Sequence, residues 1–137
     1  MNRKKVASVG TEIPERSFGP VAQSDIARFA GAGGDFNPLH LDLEVAQQAG
    51  FERPIAMGQM SAGLLAGWVT DWCGVENLRS FSVRFVAPIS IGDTVTFSGH
   101  VESIDQDSQL AELEISAHTE KGPAVKGHAQ IAVRLHP

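Results

Sequence analysis

The chain is poor in cysteine, and its single Cys73 excludes an intramolecular disulfide. No His or Lys lies next to it in sequence to lower its pKa, so it reads as a packed thiol, not a nucleophile. Basic residues are also few: 11 Lys and Arg stand against 16 Asp and Glu, for a net charge of -5. They are scattered, which excludes the clustered cationic surface that nucleic-acid phosphates require. Long hydrophobic runs are missing too. The longest charge-free stretch, Pro54 to Thr70, is diluted by glycines, Gln59 and Ser61 and is too short to span a bilayer, so no membrane role is expected. The N-terminal "MNRKKVASVG" begins basic but lacks the apolar segment of a secretory signal. These absences leave a cytoplasmic protein. With 137 residues, 42% of them hydrophobic, one domain over 1–137 is expected.

The two halves of the chain differ in periodicity. The first reads as helices and loops. "SDIARFAGAG" has Ser24 or Asp25 as N-cap, apolar Ile26, Phe29 and Ala30 at helical spacing, and a stop in the glycines at 31 to 34. "LEVAQQAG" can be capped by Asp42 and stopped by Gly50. A third helix is predicted from about Gly58 to Trp72. It is apolar or small nearly all round and so should be enclosed on most sides, with Gly63, Ala66 and Gly67 leaving room for a sheet to wrap it. The second half alternates. Apolar residues fall at 81, 83, 85 and 87, at 95, 97 and 101, at 111, 113, 115 and 117, and at 129, 131, 133 and 135. Period-two alternation predicts strands with one dry face, paired antiparallel, and the turns "SIGD", "DQDS" and "KGPA" suggest successive hairpins. The fold class is α+β, a sheet curled around one helix.

The same alternation sorts the histidines. His100, His118, His128 and His136 are out of phase with the apolar residues of their strands and should face solvent. His40 instead lies in the irregular stretch "GAGGDFNPLHLD" with Asp35 and Asn37. Asp and Asn near Pro are common turn formers that bond their own backbone, and a nearby histidine can simply satisfy a carbonyl. Alternatively, a carboxylate, an amide and an imidazole in one loop can converge on a small polar ligand such as water, with Asp and His exchanging its proton near neutral pH. Other chemistries fit less well. A dinucleotide fingerprint at "GAGGD" needs a preceding strand, where a helix stands. A calcium loop beginning at Asp35 lacks its sixth-position glycine and twelfth-position acid, because His40 and Ala46 occupy those places. A metal site from Asp35, His40, Asp42 and Glu44 has no second histidine near in sequence. Beyond the loop, Ser61 is either a small packing residue or a polar contributor. Gly58, at a helix N-terminus, offers an unpaired N–H that can donate to an oxyanion, assisted by the helix dipole.

"GGDFNPLHLD", followed after a short helix by "FERPIAMGQMSAG", resembles the hydratase 2 motif of MaoC-like dehydratases, which include the (R)-specific enoyl-CoA hydratases. The resemblance implies a hot dog fold, a long helix wrapped by an antiparallel sheet, with the motif on an overhanging segment. It implies that Asp35 and His40 hold a water and serve as general acid and base on a 2,3-enoyl thioester. Asn37 would line the site, the Gly58 N–H would receive the thioester carbonyl oxygen, and Ser61 would carry a hydroxyl that orients the aspartate. No metal or redox cofactor is implied. The substrate would be a thioester of CoA or acyl carrier protein, and the chain would form at least a homodimer, or a dimer of dimers, with the acyl tunnel near the subunit interface. Met57 departs from the family, whose members usually carry histidine there, which bears on substrate more than on reaction. "VTDW" and "DTVTFSG" are similar to members acting on bulky acyl-CoA esters. Two rivals remain. A thioesterase would attack C1, and the intact Asp-x-Asn-Pro-x-His spacing argues against it; a non-catalytic acyl-thioester-binding subunit would have no need of the catalytic pair.

Overall fold

A computed structural model describes residues 3–135, so His136 lies outside the described residues. The elements run β1 (Lys5–Ala7), β2 (Glu12–Phe18), α1 (Gln23–Gly33), a 3-10 turn (Pro38–His40), α2 (Leu43–Gln48), α3 (Gly58–Cys73), a second 3-10 turn (Val75–Asn77), β3 (Leu78–Phe85), β4 (Val95–Asp105), β5 (Leu110–Thr119) and β6 (Gly122–Leu135). Strands β4, β5 and β6 follow the alternation closely. Val95, Phe97 and Val101, then Ala111, Leu113, Ile115 and Ala117, then Ala129, Ile131 and Val133 are all buried on the face toward α3. The sheet order is β1-β6-β5-β4-β2, with β3 also paired to β6.

Along one transverse row of the sheet, glycines let neighbouring strands approach closely. Ile13 faces Gly99, Gly99 faces Ile115, Ile115 faces Gly127 and Gly127 faces Val83. A Cβ on Gly99 would meet the Glu114 carbonyl at 2.6 Å, and one on Gly127 would meet the Ser82 carbonyl at 2.6 Å. Only glycine allows strands to approach so closely there. Contacts from both ends of the sheet then reach the helix. The Trp68 indole donates to the Pro14 carbonyl of β2 at 2.9 Å, its ring lies 6.0 Å from that of Phe97 on β4, and the Lys5 ammonium of β1 sits 5.8 Å from the Trp72 ring.

Several expectations are corrected. β1 and β2 lie in the half read as helices and loops. β2 carries Pro14 and the charges of Glu12, Glu15 and Arg16, which a strand tolerates at an edge, and among the described residues it pairs only with β4. The "SIGD" turn makes no hairpin, since β3 crosses the sheet to pair with β6 while β4 pairs with β5 and β2. α1 is capped at Ala22, with Asp25 one turn inside, where its carboxylate accepts from the Ala22 N–H at 2.8 Å. α2 has the expected Asp42 cap, which accepts from the N–H groups of Glu44 and Val45. α3 is not enclosed on most sides. Met60, Leu65, Trp68, Val69 and Cys73 are buried, but Gln59 and Gly63 are exposed, and among the described residues no atom beyond the adjoining helix backbone comes within 4 Å of a Cβ built on Gly63 or Gly67. The sheet lies against the opposite side. Among the described residues no helix is long and apolar enough to cross a membrane.

Candidate active site

The loop after α1 is shaped by its own side chains. Gly34 takes the left-handed conformation (φ 74) that ends the helix and turns the chain toward Asp35. Asp35 Oδ1 then accepts from the Asn37 N–H at 3.3 Å, and Asn37 Oδ1 accepts from the Leu39 N–H at 3.1 Å, capping the 3-10 turn that carries His40. The turn-forming reading of these residues therefore holds, and it coexists with a site. With Oδ1 engaged, Asp35 presents Oδ2 to His40 Nε2 at 3.5 Å. The Asp35 side chain is 38% exposed and that of His40 12%, so solvent reaches the pair from the carboxylate side. A single water can hydrogen-bond both groups across that gap.

His40 is held from behind. Its Nδ1 lies 2.8 Å from the Ile55 carbonyl oxygen, which can only accept. The proton of a neutral ring therefore sits on Nδ1, and the Nε2 lone pair faces Asp35. Ile55 is itself anchored by hydrogen bonds on both sides. Its N–H donates to the Leu39 carbonyl at 3.3 Å, and residues 54–56 are zipped to 89–91 by Ala56 N–H to Ile89 (2.7 Å) and Ile91 N–H to Pro54 (3.1 Å). Nearby, the Arg53 guanidinium lies 3.7 Å from the buried Asp93 carboxylate, whose other oxygen accepts from the Ser90 N–H. The backbone carbonyl of Ile55 is a functional group the sequence could not point to, since every residue has one.

Gly58 opens α3 three residues beyond Ile55, which keeps the two within about 10 Å. Among the described residues no side chain caps this helix, so the N–H groups of its first turn point out of its end. Met57, in the N-cap position, is buried in the core at 1% exposure and contributes no polar side chain to the loop. The buried Ser61 hydroxyl donates to the Met57 carbonyl of its own helix at 3.5 Å, not to Asp35. The carboxamide oxygen of Asn37 is likewise committed to its own turn. The structure thus brings Asp35 and His40 together and places Gly58 on the chain that orients His40, while the carboxamide oxygen of Asn37 and the hydroxyl of Ser61 are engaged locally.

Other groups are accounted for elsewhere. Asp42 is used as the α2 cap, and among the described residues no three His, Cys, Asp or Glu side chains are arranged to hold a metal. Burial pushes the Cys73 thiol up, as befits a packed residue. A concavity of about 680 Å³ lies on the outer face of the sheet around Ser98, His100, Glu114 and His128, away from the loop. His128 is exposed there and His100 and His118 half-exposed, in keeping with their phase. Their acidic neighbours stand at salt-bridge distance, with His100 3.9 Å from Glu114 and His128 3.7 Å from Glu102.

The chain is similar to known proteins. Residues 4–121 match the model of the MaoC like domain. The chain is 34% identical over 111 residues to the (R)-specific enoyl-CoA hydratase of Aeromonas caviae, an alignment covering 79% of this chain and 83% of that protein. The solved structure of the (R)-hydratase from A. caviae involved in PHA biosynthesis superposes with a TM-score of 0.81 at 31% identity, covering 93% and 98% of the two chains. A chain of the ChsH1-ChsH2 complex from Mycobacterium tuberculosis superposes with a TM-score of 0.83 at 27% identity, over 94% of this chain and all of that one. With its hot dog fold, its Asp35–His40 loop and a family match spanning most of its length, the chain belongs to the MaoC-like dehydratases.

Proposed function

We propose that this protein is a cytoplasmic hydro-lyase that interconverts a trans-2-enoyl thioester and its (R)-3-hydroxyacyl thioester, with Asp35 and His40 as the catalytic pair. The observation that carries this reading is the facing of Asp35 Oδ2 and His40 Nε2 at 3.5 Å, with the ring fixed from behind by the Ile55 carbonyl. Water held between them gives up a proton to one member of the pair as its oxygen bonds to C3. The π electrons move toward the thioester oxygen, which accepts from the Gly58 N–H. The proton taken from water passes within the pair to the other member, which delivers it to C2, so the pair ends in the protonation state in which it began. Each proton transfer is worth about 10²–10⁴-fold in rate, and one oxyanion donor about 10²–10³-fold. Asn37 shapes the loop, and Ser61 steadies the first turn of α3.

The functional unit is one domain over 1–137, assembled at least as a homodimer. Two features support self-association: among the described residues β3 pairs only with β6, leaving its other edge open, and apolar Val86 just beyond its end is exposed. The acyl carrier is CoA or acyl carrier protein.

The test is absorbance of the conjugated thioester band with crotonyl-CoA and with a longer trans-2-enoyl-CoA, run beside a thiol-release assay. Loss of the band without thiol release is expected. Thiol release with the band intact would overturn the reading in favour of thioester hydrolysis, and no turnover at any chain length would favour a binding subunit.

A further inference from the structure

We propose that Phe85 is a positioning residue for the thioester. Its ring, seated against Gly58, sets how closely and at what angle a substrate carbonyl meets the Gly58 N–H. The inference rests on the hydration reading above. A Cβ built on Gly58 would lie 2.9 Å from Phe85 Cζ, 3.0 Å from Cε1 and 3.2 Å from Cε2, so the tip of the ring fills the space a side chain would take. Gly58 does not have a positive φ, so its lack of a side chain answers to this ring and not to backbone conformation. In a helix both the Cα–Cβ bond and the N–H lean toward the N-terminus. The ring tip and the free donor therefore face the same open end of α3.

The rest of the ring is available to a ligand. Phe85 is 54% exposed, well above what is usual for phenylalanine, and it is the last residue of β3. An apolar wall beside a carbonyl that gains negative charge keeps water from competing for the Gly58 N–H, which strengthens that hydrogen bond. It also confines the thioester to an approach along the open flank.

The experiment is a double-mutant cycle on the full chain, reading kcat and KM for crotonyl-CoA and trans-2-decenoyl-CoA, with thermal melts to confirm folding. Gly58→Ala keeps the backbone N–H but places a methyl against the ring. It should lower kcat by up to about 10²-fold through misplacement of the reacting groups. In the Gly58→Ala/Phe85→Ala chain the methyl has room, and kcat should recover about fivefold or more over Gly58→Ala alone, a coupling expected of residues in contact. Phe85→Ala by itself should lower kcat and raise KM, with Phe85→Leu restoring part of both. Additive effects in the cycle, or unchanged kcat and KM in folded Phe85→Ala, would overturn the role of Phe85 and leave the hydration reading standing. A wild-type chain that hydrates neither substrate would overturn that reading and this inference together.

Discussion

The loop from Gly34 to Leu41 and the sheet of β4, β5 and β6 are held in place by different forces. In the sheet Val101, Leu113, Ile131 and Val133 are fully buried, and their positions follow from the removal of apolar surface from water. In the loop no residue is buried, and the conformation rests on hydrogen bonds: Asp35 to Asn37, Asn37 to Leu39, and His40 to Ile55. Burial fixes side chains by shape alone. Hydrogen bonding leaves the second oxygen of Asp35 and the second nitrogen of His40 directed at each other and free of backbone partners among the described residues, which is what proton transfer requires. On the proposed mechanism, stability and chemistry fall to separate parts of the chain, and substitutions should affect one without the other.

The largest expected effect tests the loop. Asp35→Asn and His40→Gln should each lower the hydration rate by about 10²–10⁴-fold, equivalent to about 2.7–5.5 kcal/mol in the barrier. Melting temperatures should stay close to wild type, because neither side chain is packed in the core. Retained activity in both variants would remove the catalytic assignment. A large drop in melting temperature would show that the loop carries more of the fold than its exposure implies.

The reverse experiment lies in the sheet. Leu113 is 0% exposed and sits between Val101 and Ala129 on neighbouring strands. Leu113→Ala should cost about 2–5 kcal/mol through lost burial and the cavity left behind. Denaturant titration measures that cost, while kcat per folded molecule should remain near wild type. A specific loss of kcat in the folded fraction would mean that the two regions are coupled through α3, against which the sheet packs.

This separation also explains what could be read from sequence. Val95, Phe97 and Val101 were legible because a half-buried strand forces period-two alternation on its residues. β2 was not, since Pro14 and its charged neighbours are allowed only by its edge position, a tertiary fact. The nearness of Asp35 and His40 was legible because residue type and spacing carry the motif, and the two side chains do face each other. The hold on His40 was hidden, because it comes from the Ile55 carbonyl and from the pairing of residues 54–56 with 89–91, which residue identity does not encode. Phe85 was misplaced for a related reason. Its phase put it on a dry face, but β3 lies beside β6 with no further described strand along its outer edge, so the ring stays half open against Gly58.

The smallest expected effect concerns a contact that belongs to neither class. Arg16 on β2 and Asp71 on α3 meet at 2.6 Å, bonded like the loop residues but placed on the structural side of the molecule, where the edge strand crosses the helix. Both side chains are more than half exposed, at 51% and 62%. Water therefore solvates the separated charges nearly as well as the pair does, and two long side chains lose rotamer freedom to meet. A double-mutant cycle with Arg16→Ala and Asp71→Ala, followed by thermal or denaturant unfolding, should give a coupling of about 0.2–1 kcal/mol that shrinks as salt is added. Hydration activity should not change. A coupling well above that range would mean that hydrogen bonds at the exposed surface help to hold the sheet on α3, and that burial alone does not account for the closure of the fold.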